Sequence, residues 1–142
     1  MGITTVLNNK GRSIAAVSPD SSVAEIVAVL VQRRIGAVLV TEDDRPVGIV
    51  SERDIIRCLA EHSGMVMDLR AREVMTVPVI TIRPDANICD AMELMTDRRI
   101  RHLPVVESGQ LVGIVSIGDL VKRRIEQAEQ EALALKDYIA TA

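Results

Sequence analysis

The sequence predicts a mixed α/β (α+β) fold in which one β-α-β-β-α unit is used twice and followed by a C-terminal helical extension. Three observations predict it. A shift of 65 positions aligns the chain with itself without a gap. Each copy carries two runs rich in β-branched residues, joined by a short polar turn. Each copy also carries two stretches with apolar residues at helical spacing. In the self-alignment Pro19-Asp20 falls on Pro84-Asp85, Arg33-Arg34-Ile35 on Arg98-Arg99-Ile100, Val47–Ser51 on Val112–Ser116 and Asp54 on Asp119. About 13 identities over roughly 44 positions, against about 3 by chance, make duplication the reading.

The elements follow in order. A short apolar run (Ala15–Val17, Val79–Ile82) ends at Pro-Asp. A helix comes next, with Val23, Ile26, Val27 and Leu30 in the first copy and Ile88, Ala91, Met92 and Met95 in the second. Its start reads Ser22-x-x-Glu25, a capping box, or Asn87-x-x-Asp90, a looser version. Two strands follow, Ala37–Thr41 with Val47–Val50 and Leu103–Val106 with Leu111–Val115, each pair closed by EDDRP or ESGQ. A second helix opens at Ser51 and at Ser116. The expected organisation is an N-terminal segment 1–12, a first repeat 13–63, a linker 64–77 breaking at Ser63-Gly64, a second repeat 78–126 and a helical tail 127–142. Within the last helix Val121, Ile125, Ala128, Ala132, Leu135 and Ile139 form a heptad seam, which fits either a helix lying on its own domain or a subunit contact.

Composition limits the function. Hydrophobic residues make up 48% of the chain, enough for a core, but Tyr138 is the only aromatic. A planar ligand would lie between aliphatic side chains, and the aromatic platforms of single-strand nucleic-acid binding are missing. A net charge of -3 offers no general attraction for a phosphate backbone. MGITTV lacks a charged n-region, and no apolar run has the length of a membrane span. Cys58 and Cys89 form no C-x-x-C and read as reduced core thiols, so a cytoplasmic protein is expected. His62 and His102, the only histidines, are too few and too far apart for a metal motif.

The recurring stretch is GIVSERD, Gly48–Asp54, which returns as GIVSIGD, Gly113–Asp119. Ser51-x-x-Asp54 and Ser116-x-x-Asp119 stand where a strand becomes a helix, and a helix cap explains them on its own. A nucleotide site explains them as well: the helix N-terminus and Ser hydroxyl suit a phosphate, and an Asp one turn in suits the hydroxyls of a ribose. Gly113-IVSI-Gly118-Asp119-Leu120 has the glycine spacing of a P-loop, but Asp and Leu replace Lys and Ser/Thr, which rejects a P-loop NTPase. Arg101 and His102 replace Gly36 and Ala37 of the first copy and are candidate phosphate donors, as is Arg53.

With SERD, VMT, RRIRHLPV and GIVSIGDLVK in place, the chain resembles the CBS-domain pair, or Bateman module, and more narrowly the short stand-alone bacterial proteins of that kind. The resemblance covers about Ser13 to Glu126. It implies two copies packed with pseudo-two-fold symmetry, two clefts for adenosine derivatives and a disc-like homodimer. It places Asp54 and Asp119 on ribose hydroxyls, Ser51 and Ser116 near phosphate, Thr81 near adenine, and Arg101 and His102 on phosphates. Gly36 and Ala37 leave the first copy fewer donors, so the clefts should be usable but unequal. The implied function is a non-enzymatic sensor of AMP, ADP or ATP, read by an unidentified effector protein. NAD(H) or S-adenosylmethionine as ligand, and a ligand-free dimerisation scaffold, are the alternatives. No catalytic cofactor, nucleic acid or membrane partner is implied.

Overall fold

The computed structural model describes residues 2–62 and 64–141; Ser63, half of the expected break, lies outside them. Helix α1 (Ile3–Lys10) comes first. The first repeat follows as β1 (Ala16–Val17), α2 (Val23–Arg33), β2 (Ala37–Glu42), β3 (Arg45–Ser51) and α3 (Glu52–Glu61). A 3₁₀ turn at Val66–Asp68 and the single-turn helix α4 (Ala71–Val74) lead into the second repeat. That repeat comprises α5 (Ile88–Arg98), β4 (His102–Glu107), β5 (Gln110–Ser116) and α6 (Ile117–Thr141). Helix α6 is continuous for 25 residues, so the expected boundary at 126 falls inside it.

The repeats are built by the same local rules. Ser22 Oγ accepts from the Glu25 N–H (3.2 Å), and Asn87 Oδ1 accepts from that of Asp90 (2.7 Å). These caps start α2 and α5. Both helices end on an arginine in the left-handed region, Arg34 and Arg99, each at φ 55°. The hairpins turn on Asp43-Asp44 (φ 52° and 61°) and Ser108-Gly109 (φ 52° and 79°). Two successive positive φ angles match the twist of the flanking strands. Strands β2 and β3 pair antiparallel, as do β4 and β5, with a register slip after Val40 and, at the equivalent place, after Val105.

Two expectations need correction. The run Val79–Ile82 is not a strand but one parallel bridge, Ile82 to Val105, with the Ile82 N–H on the Pro104 carbonyl (3.0 Å). Its first-copy counterpart, β1, pairs in parallel with β2 through two residues. Pro78 and Pro84 bracket the second run and supply no N–H to extend the pairing. Cys58 is buried, but Cys89 is exposed: one residue past buried Ile88, it points off the apolar face of α5.

Each repeat has its own aliphatic core, and each core is completed by the segment before the other repeat. The first gathers Val23, Ile26, Leu30, Val38, Val40 and Val50 with Val66, Ala71 and Val74 of the connecting segment. The second gathers Ile88, Ala91, Met95, Leu103, Val105, Val115 and Leu120 with Ile3, Val6 and Leu7 of α1. The docking is equivalent in both places. The Ala71 and Arg72 N–H groups donate to the Ser21 and Pro19 carbonyls, and those of Ile3 and Thr4 donate to Ala86 and Pro84. A Cβ at Gly48 would collide with the Met75 side chain, and one at Gly113 would fall 2.6 Å from Leu7 Cδ2. The glycine of each G-h-V-S run is thus where a capping segment lies against the sheet.

Candidate functional site

At the end of β3 the chain leaves the sheet and enters α3, and Ser51 and Asp54 close a reciprocal capping box. Ser51 Oγ accepts from the Asp54 N–H (3.2 Å), while Asp54 Oδ2 accepts from the Ser51 N–H (2.8 Å) and hydroxyl (3.0 Å). The second oxygen, Oδ1, accepts from Thr76 Oγ1 (2.9 Å) and, more weakly, from Arg57 (3.3 Å). Asp54 is only 5% exposed, the one buried charged residue among those described. The cap that explains Ser-x-x-Asp without a ligand is therefore present.

Asp54 also lines the floor of a cleft of about 710 Å³ between the two repeats, within the usual size of a small-molecule site. One wall is the start of α3, with Ser51, Glu52, Arg53 and Arg57. The opposite wall comes from the second repeat: the end of α5 with Arg98 and Arg99, then Arg101, His102 and Pro104. Thr76, Pro78 and Ile80 of the connecting segment close one end. Five arginines face two carboxylates here, so the cleft favours an anion, with apolar Ile49, Ile56, Ile80 and Ile100 beside them.

The structure brings five of the eight sequence-derived residues into this one cleft: Ser51, Arg53, Asp54, Arg101 and His102. The basic pair of the second copy thus faces the helix start of the first. Ser116, Asp119 and Thr81 are not among its lining, and Thr81 is exposed. Thr76, Arg57, Arg98 and Lys10 were missed. A second internal alignment, with a shift of 68, sets Val6 on Val74, Leu7 on Met75 and Asn8 on Thr76 and would have pointed to Thr76; Lys10 falls on Pro78, so it carried no such signal.

Asp119 is held differently. Its Oδ2 accepts from the Ser116 N–H (2.8 Å) and from Lys10 Nζ (2.6 Å), which also donates to the Ile114 carbonyl (2.9 Å). In the first repeat the Thr76 N–H donates to the Ile49 carbonyl (2.8 Å) and its hydroxyl to Asp54. One ammonium on α1 therefore replaces both donors of Thr76. Burial would raise the Asp119 carboxyl, but the hydrogen bonds from Lys10 and Ser116 outweigh it and hold the group below its ordinary value.

His102 stands between the two arrangements. Burial, then the Lys10 charge and more weakly Arg101, push its imidazole below the usual value, against the opposing pull of Asp119 and Glu52. The unfolded chain thus takes up a proton on His102 before the folded one does. Stability is expected to fall as pH drops below about 6.5 and to level off below the folded-state value, where both forms are protonated. His102→Asn should flatten that part of a plot of Tm against pH; an unchanged slope between pH 7.5 and 5.5 would remove His102 as its source. Among the described residues no cluster of His, Cys, Asp or Glu is arranged to hold a metal ion, and no helix is long and apolar enough to cross a membrane.

Comparison with known proteins agrees with this architecture. The family model described as CBS domain matches twice, over residues 11–61 and 71–126. The mitochondrial CBS domain-containing protein CBSX3 of Arabidopsis thaliana is 32% identical over 146 residues, spanning 96% of this chain and 71% of that protein. The crystal structure of the CBS-domain protein ATU1752 from Agrobacterium tumefaciens superposes with a TM-score of 0.84 at 38% identity, over 87% of this chain and 92% of that one. PAE2072 of Pyrobaculum aerophilum, a CBS domain protein solved in complex with AMP, superposes with a TM-score of 0.74 at 31% identity, over 84% and 89%.

Proposed function

Since the chain belongs to the CBS-domain family, we propose that it is a non-enzymatic regulatory protein that binds an adenosine nucleotide in the cleft between its repeats and signals through a homodimer to a separate effector protein in the cytoplasm. The observation that carries this reading is the set of five arginines around a buried aspartate in a cleft of about 710 Å³. The AMP held by PAE2072 supports the choice of ligand class. Arg101 and His102, with Arg53, take the phosphate, Ser51 adds a hydroxyl, and Asp54 receives the ribose by exchanging its 3.3 Å Arg57 contact for a diol. The base lies among Ile49, Ile80 and Pro78, in keeping with a core that has no aromatic platform.

The clefts are unequal because of Lys10. An ammonium already bonded to Asp119 and Ile114 holds the place that a ribose at Ser116 and Asp119 would need, with exposed Thr81 contributing at its rim. The first cleft, held by neutral Thr76, is the principal site. Lys10→Met is expected to leave first-site affinity within about twofold and to strengthen a second binding event in titration calorimetry. Arg101→Ala should weaken the first site by about tenfold or more, the scale of a charge-assisted hydrogen bond. A Lys10→Met protein with an unchanged isotherm would show that the ammonium does not gate Asp119.

The deciding experiment combines mass spectrometry of small molecules released on acid denaturation with thermal shifts for AMP, ADP, ATP, NAD, NADH and S-adenosylmethionine. A ligand at a hundred times its Kd stabilises by about 2.7 kcal/mol, or roughly 5–10 °C for a chain of this size. Recovery of the ligand unchanged after incubation separates a sensor from a hydrolase. If nothing is released and nothing moves Tm, the protein is a scaffold and the capping boxes are its only use of Ser-x-x-Asp.

A further inference from the structure

Helix α6 leaves the body of the protein after Gln127: Arg123, Arg124, Glu126 and Gln127 are still half-buried, and every residue from Ala128 to Thr141 is exposed. Val121, Ile125, Leu135 and Ile139 are exposed, the last two by 60% and 66%, and Ala128 and Ala132 lie exposed on the same line. A solitary helix of this length is marginal in water, and a stripe of aliphatic side chains has no reason to stay wet. The matched family model ends at residue 126, so the distal half of this stripe is a feature of this chain beyond the matched region.

The charges beside the stripe identify its occupant. Taking Ile125, Ala132 and Ile139 as a positions makes Val121, Ala128 and Leu135 d positions. The g positions are then Arg124 and Glu131, and the e positions of the following heptads are Glu129 and Lys136. In a parallel in-register pair each g residue meets the e residue five places on in the other helix. Arg124 would meet Glu129, and Glu131 would meet Lys136, each pair formed twice by symmetry and each attractive. The antiparallel superposition of the same stripe sets Glu129 against its own copy, Glu131 against its own copy and Lys122 against Lys136, all repulsive. None of Arg124, Glu129, Glu131 and Lys136 takes part in an ion pair within the chain among the described residues. At the C-terminal end of the seam, Ile139 at a with Leu135 at d is also the combination that favours two parallel strands, while the other d positions are Val121 and Ala128.

We infer that residues 121–139 form a parallel, in-register two-stranded coiled coil with a second copy of this chain, its alanine layers drawing the helices close at the centre. This rests on the homodimer reading and not on the identity of any ligand. It gives that dimer a contact outside the repeats and fixes the two α6 helices side by side, pointing the same way.

Disulfide trapping in the full-length chain, with Cys89→Ser removing the exposed native thiol, tests it. Leu135→Cys at a d position should oxidise to a covalent dimer at least tenfold faster than Leu133→Cys, which is just as exposed but occupies a b position off the seam. In sedimentation, Glu131→Lys turns two attractive contacts per dimer into repulsive ones and should raise the dissociation constant by roughly tenfold. Adding Lys136→Glu should restore it to within about threefold. Equal oxidation at 133 and 135, or a Glu131→Lys protein that dimerises as tightly as wild type, would overturn the coiled coil while leaving a dimer through the repeats intact. A monomer at all concentrations would overturn both.

Discussion

Asp54→Ala is expected to lower Tm by roughly 5–10 °C without ligand and to abolish the further rise produced by the adenosine nucleotide that stabilises wild type. The first effect follows from burial. The substitution removes a carboxylate that accepts from Ser51 twice, from Thr76 and from Arg57. Loss of the cap and stranding of partly buried donors costs about 2–3 kcal/mol, at 2–4 °C per kcal/mol for a chain of this length. Asp119→Ala should cost less, because Asp119 is more exposed and Lys10 can return to water. The ligand effect is a separate matter. If Asp54→Ala melts early yet gains as many degrees from AMP as wild type, the nucleotide does not use this cleft. Should the variant fold too poorly to titrate, Arg101→Ala asks the same question from the far wall without touching the cap.

Leu7→Ala is expected to cost about 2–5 kcal/mol, the range for emptying a fully buried leucine site, although Leu7 precedes both repeats. Its side chain is 0% exposed and fills the space that Gly113 leaves beside β5. Met75→Ala, the matching change against Gly48, should cost less because Met75 is only partly buried. Urea unfolding checks both. A Leu7→Ala protein within 0.5 kcal/mol of wild type would mean that α1 does not form part of the second core.

The repeats themselves were legible from the sequence, because caps, hairpin turns and apolar periodicity are local and each appears twice. The turn at Asp43-Asp44 and its partner at Ser108-Gly109 are the clearest cases. What one-dimensional reading missed is contact between distant segments. Residues 1–12 and 64–77 carry no strong helical or strand period of their own, so they read as a leader and a linker. Their alignment, offset by 68 rather than 65, is too short to stand out against the main repeat. The same limitation hid the cross-copy nature of the cleft. Arg101 and His102 were legible as basic residues, but only packing of β4 against the start of α3 shows that they face Ser51 and Asp54 rather than the serine of their own repeat. Thr76 was missed because its contact with Asp54, 22 positions away, has no local signal.

The position of α1 has a consequence for how the molecule is made. Helix α1 leaves the ribosome well before the segment it docks on: it uses carbonyls at Pro84 and Ala86 and reaches Asp119, a sequence separation of 109 for the Lys10 contact. At about 5–20 residues per second, its docking site is still being synthesised for roughly 5–22 s after α1 is complete. The first repeat needs no such delay, because its closing segment follows it directly. Assembly should therefore run from the first repeat outward, with α1 the last element to find its place, fastening the second repeat after everything between has folded.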